Sequence, residues 1–135
     1  MPANENLEAA ILGHLFGSTT WSKPTALYLG ALTATPADVG GFVEVAAAEH
    51  VRLQNDPSDT NWVEQTNKSR INGALLMFAD PLTDWGDVSA IGLFEAASGG
   101  DPIAWADLPE PVTVAAGGAR LMIAPGSLVW RMNSI

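Results

Sequence analysis

The stretch Asp84–Trp105, DWGDVSAIGLFEAASGGDPIAW, decides the fold. It reads as a strand (VSAIGLFEA), a glycine turn (SGGD) and a second strand (PIAWADL). Val88, Ile91, Leu93 and Phe94 form an apolar run too short for a stable isolated helix. Trp85-Gly86-Asp87 and Ser98-Gly99-Gly100-Asp101 bound it with turn chemistry. Both faces of this hairpin are largely apolar, so each must be covered. One cover is the domain's own core; the other is a second layer or a partner chain.

Outward from the hairpin, the pattern is one of short strands. Thr25–Thr33, TALYLGALT, places Leu27, Leu29 and Ala31 on one face and Tyr28, Gly30 and Leu32 on the other. Pro36–Gly41 is a turn. Phe42–Leu53 reads as two short strands broken near Ala46–Ala48. Gln54–Asn61 is a polar loop rich in Asx and proline. Trp62–Thr66 is a short strand, and Ser69–Phe78 is another with Gly73 as a bulge. Pro109-Glu110-Pro111 breaks the chain. Val112–Ala115 and Ala119–Ala124 then form a hairpin around Gly117-Gly118, and Leu128–Met132 is the last strand.

Asn4–Phe16 is the one clear helix. Leu7, Ile11 and Leu15 recur every four residues, Asn4 caps the exposed amides, Glu5 and Glu8 suit the positive end, and Gly17 closes it. Gly13, which costs about 1 kcal/mol in a helix, allows close packing against a sheet. The expected architecture is mainly β: a single β-sandwich (jelly-roll-like) domain over 18–135, preceded by a short N-terminal α-helix or arm over 1–17.

Composition narrows the function. The 135 residues are 47% apolar and only 16% charged, against about a quarter charged in ordinary soluble domains. A chain so short of charge has apolar surface to hide, and oligomer contacts are the simplest place for it. Fifteen acids against six bases give a net charge of −9. Lys23, Arg52, Lys68, Arg70, Arg120 and Arg131 make no basic stripe, so the chain repels phosphate and nucleic acid is excluded as a partner. There is no cysteine for a disulfide or thiolate site. No stretch reaches membrane-spanning length, and the acidic start MPANENLEAA lacks the basic region of a signal peptide. The reading is a protein assembled in the cytoplasm.

Catalytic constellations are missing from the pattern. His14 lies on the flank of the helix as a packing or interface residue, and His50, following Glu49, reads as an exposed strand edge. No GxSxG elbow occurs. Asp80, Asp84 and Asp87 sit in or beside a turn, where Asp bonds local backbone, so they do not read as paired glycosidase carboxylates. Asp56, Asp59 and Asn61 have the composition of a calcium loop without its spacing. Gly99-Gly100 and Gly117-Gly118 lack the helix and lysine of a phosphate cradle. No catalytic residue, metal ligand or cofactor site is assigned. Of the five tryptophans, Trp85 and Trp105 read as core. Trp21 and Trp130 read as interface, together with Met132 and the helix residues Leu7, Ile11 and Leu15.

Taken in order, LEAAILGHLFG, TALYLGALTATP with PADVGG, ADPLTDWGDVSAIGLFEAASGG, IAWADLPEPVTVAAG and APGSLVW cover most of the chain. In that order they resemble small tailed-bacteriophage virion proteins of the tail-fibre-like or capsid decoration type. The resemblance implies a structural part of a phage particle that associates with copies of itself, as a homotrimer, and with the major capsid protein or tail proteins. It carries no catalytic residues. A compact domain without shaft repeats can clamp capsomers but cannot extend far from a tail. The expectation is therefore a homotrimeric capsid decoration (cement) protein, with a tail-fibre or tail-tip subunit, able to adhere to host glycan, as the alternative.

Overall fold

The computed structural model describes residues 3, 5–34 and 41–131. Among them are one helix, α1 (Glu5–Phe16), and ten strands: β1 (Tyr28–Ala34), β2 (Val43–Glu44), β3 (Leu53–Gln54), β4 (Trp62–Glu64), β5 (Arg70–Asn72), β6 (Leu76–Met77), β7 (Gly86–Phe94), β8 (Ala104–Val114), β9 (Met122–Ile123) and β10 (Val129–Trp130). The domain is mainly β and sandwich-like. Its large sheet runs β2-β1-β7-β8, with β3 also on β1. Facing it are a three-stranded sheet, β10-β5-β4, and a two-stranded one, β6-β9. Every pairing is antiparallel.

The central hairpin forms as its sequence requires. Leu93 pairs with Ala104, Gly92 with Trp105 and Ile91 with Ala106, while β1 lies on the other side of β7 with Leu29 opposite Leu93 and Gly30 opposite Gly92. Strand alternation then sorts the side chains into two clusters. On the inner face Leu29, Ala31, Ile91 and Ala104 meet Trp62, Leu76, Phe78, Ile123, Leu128 and Trp130 from the smaller sheets. On the outer face Leu32, Ala90, Phe94 and Trp105 form a second buried cluster, joined by Tyr28 and Phe42. Both faces of the ribbon are thus covered within one subunit.

Three strand assignments change. Pro109 and Pro111 do not end a strand. β8 continues through them to Val114, and its register jumps between Val88↔Val112 and Ala90↔Asp107. The extra residues bulge outward on an edge strand, where a missing N–H breaks no ladder. The bulge also flips the alternation, so Val88 joins Ile91 in the inner cluster. In turn, 119–124 does not pair back on 112–115; β9 pairs with β6 instead.

Ser69–Phe78 is likewise two strands in different sheets, β5 and β6. The switch is held by Asn72, which is 1% exposed. Its Nδ2 donates to Ala74 O and Ala124 O at 2.9 and 3.0 Å, and its Oδ1 accepts from Leu128 N at 3.0 Å. A sheet corner leaves backbone groups without ladder partners, and one buried amide supplies three of them. A Cβ at Gly73 would stand 2.2 Å from Thr60 O, so the corner is also sterically closed to larger residues.

α1 forms where expected and is closed by Gly17 N donating to Gly13 O at 3.0 Å. It buries no residue. Gly13 does not meet a sheet: a Cβ there would meet Thr19, at 3.4 Å, in the loop that follows. Among the described residues no helix is long and apolar enough to cross a membrane.

Candidate functional site

Three features stand out once the core is accounted for. The first is the lid over the outer face of the large sheet. β2 and β3 flank β1, with Glu44 opposite Leu32 and Leu53 opposite Leu29. Parity therefore sends Glu44 and Arg52 to the outer face, toward Phe94. Arg52 donates from Nε and Nη2 to Glu44 Oε2 and Oε1 at 2.9 and 2.8 Å, a bidentate fork. Its Nη1 donates to Ala96 O and Gly99 O at 2.8 and 2.9 Å. Its guanidinium carbon lies 3.5 Å from the Phe94 ring centroid. The Phe94 ring rests on the paired glycines Gly30 and Gly92, where a Cβ would approach its Cε2 to 2.9 and 2.8 Å. One buried cation thus ties β2, the ring beneath it and the tip of the β7–β8 hairpin into a single unit.

His50 belongs to the same unit. It is not an exposed edge: its side chain is 3% exposed and its Nε2 lies 3.3 Å from Glu44 Oε2. The ring stacks on Phe78 at 5.7 Å and meets Trp85 edge-on at 5.1 Å. A turn between β2 and β3, closed by His50 N donating to Ala47 O at 3.0 Å, precedes His50. Burial works to raise the Glu44 carboxyl, but the hydrogen bonds and charges of Arg52 and His50 outweigh it and hold it at about 2.

Glu49 points elsewhere. Its Oε1 accepts from Leu82 N and Thr83 N at 2.8 Å each, and from Thr83 Oγ1 and Trp85 Nε1 at 3.0 Å each. The bond from Trp85, with those from Thr83, holds this carboxyl at about 2. One oxygen with four donors ties the loop before β7 to the turn between β2 and β3. These ionisable groups bond one another and backbone, so their chemistry is that of clamps.

The second feature is a cleft of about 350 Å³ between the segment before β1 and the β4-β5-β10 sheet. Leu27, Pro57, Leu93, Trp62 and Trp130 give it apolar walls, with Lys23, Ser58, Asp59 and Arg70 around them. The two indoles meet edge-on at 6.3 Å, and Trp62 Nε1 donates to Asn55 O at 3.0 Å. Arg70 Nη1 donates to Asp59 Oδ1 and Trp62 O, both at 2.8 Å. The loop that carries Asp56, Asp59 and Asn61 is occupied by its own bonds. Asp56 accepts from Gln54 Nε2 at 2.9 Å, Asn61 Nδ2 donates to Asp56 O at 3.0 Å, and Asp59 faces Arg70. No group of three or more metal-ligating side chains occurs among the described residues. Asp84 and Asp87 bond across the sheet to Ala116 N and Thr113 Oγ1, and Asp80 pairs with Arg120 at 2.9 Å.

The third feature is the helix. Leu12, Leu15 and Phe16 are 57, 67 and 80% exposed. Leu7 and Ile11 are half-buried. His14 accepts at Nδ1 from Trp21 N, 3.2 Å away, so Trp21 is fixed beside the helix end. Trp130 is 7% exposed and sits in the inner core against Trp62, offering a partner only its edge at the cleft. Met132 lies outside the described residues, as do Asn4 and most of the Pro36–Gly41 turn. The structure thus separates the six expected contact residues: four lie on or beside the helix, and Trp130 lies at the cleft.

Residues 2–131 match the family described as Podophage GP4 fiber I protein gp80. No curated protein matches the chain.

Proposed function

Since the chain belongs to the podophage fiber I family and is a structural, fibre-type component of a phage virion, we propose that it is a tail-fibre subunit that associates with copies of itself through α1. The family match across nearly the whole chain carries this reading. It supports the appendage, the alternative at first, over the capsid clamp expected from the missing shaft repeats. The compact fold suits a terminal or linking module in a fibre whose length comes from other parts.

The helix supports self-association. Twelve residues are marginal as an isolated helix in water, and α1 fully buries none of them, with Leu7 and Ile11 half-buried. Its exposed Leu12, Leu15 and Phe16 are an apolar surface that copies of the same helix can cover, and three such subunits make the homotrimer that the resemblance implies. Arg52 and Glu49 hold the hairpin tip and the loop before β7 rigid, as a load-transmitting part requires. The subunit is non-catalytic in this reading, and it joins the particle during assembly in the host cytoplasm. Electron microscopy of phage carrying a labelled copy tests the proposal: label at the tail supports it, and label distributed over the head overturns it in favour of the clamp.

A further inference from the structure

The cleft beside Trp62 and Trp130 is built for a ligand that is apolar on its faces and anionic at its edge. Three observations point the same way. Its volume, about 350 Å³, falls at the small end of the range for ligand pockets, roughly 300–1,000 Å³. Its walls are two leucines, a proline and the small exposed parts of two indoles that are each 7% exposed, an apolar lining for the C–H groups of a sugar ring. Its charges are Lys23 and Arg70 against Asp59, a cationic excess within a chain of net charge −9. Lys23 has no ion-pair partner among the described residues, and Arg70 bonds protein through Nη1 alone, leaving Nε and Nη2 for a ligand oxygen.

We infer that this cleft is a binding subsite for one carboxylate-bearing sugar residue, a uronate, of a surface polysaccharide. Leu27, Pro57 and Leu93 cover the ring and the exposed parts of the indoles border it; Lys23 and the unused edge of Arg70 take the carboxylate. The inference rests on the fibre reading for the place where such a sugar would be met, and it deepens that reading by naming what the subunit would touch.

The test is a titration of the intact chain, followed by the indole N–H signals in nuclear magnetic resonance spectra, with methyl β-glucuronide, methyl β-glucoside and inorganic phosphate. The expected result is movement of the Trp62 and Trp130 signals with the glucuronide at about millimolar concentration. The glucoside should bind several-fold more weakly, and phosphate should leave both indoles in place. Lys23→Glu, an exposed change that spares the fold, should weaken the glucuronide about tenfold and leave the glucoside unaffected. Equal response to both sugars, an equal response to phosphate, indifference to Lys23→Glu, or silent indoles would each overturn the inference. None of these outcomes bears on where the protein sits on the particle, so the fibre reading stands or falls separately.

Discussion

Arg52 and Phe94 are stacked, the guanidinium carbon 3.5 Å from the ring centroid, and the pair helps to cover the outer face in place of a second sheet. A cation buried to 4% exposure is costly unless every donor is matched. Here a carboxylate fork and two carbonyls take four of its five N–H donors, and an aromatic face lies against its plane. Arg52→Lys keeps the charge but loses the fork and should destabilise the subunit by about 2 kcal/mol. Arg52→Ala, which strands Glu44, should cost about 3–5 kcal/mol. Urea unfolding checks both, and adding Glu44→Gln to Arg52→Ala should recover part of the loss. Purely additive effects would mean that the two side chains are not coupled.

Acid should loosen the same clamps. Glu44 and Glu49 are held at about 2 in the folded chain against an ordinary 4.5. The unfolded chain therefore takes up protons first as pH falls. Their contribution is fully present above about 4.5 and is lost progressively toward 2. Thermal midpoints measured from pH 6 to pH 2 should fall across that window, and Glu44→Gln should give a shallower slope. An unchanged slope in that variant would remove Glu44 from the account.

Asn72 should be among the least replaceable polar residues. Asn72→Leu preserves bulk but removes the donors to Ala74 O and Ala124 O and leaves Leu128 N buried without its acceptor. The expected loss is about 1–3 kcal/mol, read from denaturant unfolding. Asn72→Asp should also fail, since a carboxylate accepts but cannot donate to Ala74 O and Ala124 O.

Two glycines distinguish contact from conformation. Gly92→Ala drives a methyl into the Phe94 ring, at 2.8 Å from Cε2, and should cost about 1–3 kcal/mol. Gly99→Ala meets open space but sits at φ +72°, so its cost should stay near 1 kcal/mol. Pairing Gly92→Ala with Phe94→Leu should reduce the first penalty, because the colliding ring has gone.

For the helix, Leu12→Ser, Leu15→Ser and Phe16→Ser together should leave the subunit's unfolding midpoint within about 0.5 kcal/mol of the parent. Sedimentation should nonetheless shift toward the monomer. By contrast Leu29→Ala, at 0% exposure in the core, should cost about 2–5 kcal/mol. A triple variant that sediments unchanged would move the contact between copies away from α1.

The hairpin, the two faces of β1 and the paired short strands at Val43–Glu44 and Leu53–Gln54 were legible because alternation and glycine turns are local signals. The corner at Asn72–Gly73 was not. Changing sheets in mid-run leaves no mark on periodicity, and only a buried asparagine beside glycine hints at it. The prolines of β8 misled for a related reason: they forbid a central strand but not an edge, and edge position is a property of the whole sheet. Of the site residues, the exposed Leu15 was readable from helical spacing. Glu44 and Arg52 were readable only by parity, once both strands are known to share β1. The cleft draws on 23–27, 57–62, 70, 93 and 130, segments that only the folded topology brings together.

The rim of the large sheet that carries Pro109 and Pro111 has one further consequence. A strand from another copy, laid against it, would find two donors missing and a bulge where the ladder should run on. The opposite rim offers only two-residue strands. Ribbon-upon-ribbon growth therefore stalls at both rims of this sheet. A part so bounded can be produced at high concentration inside a cell without running on into endless fibrils before its particle is ready for it.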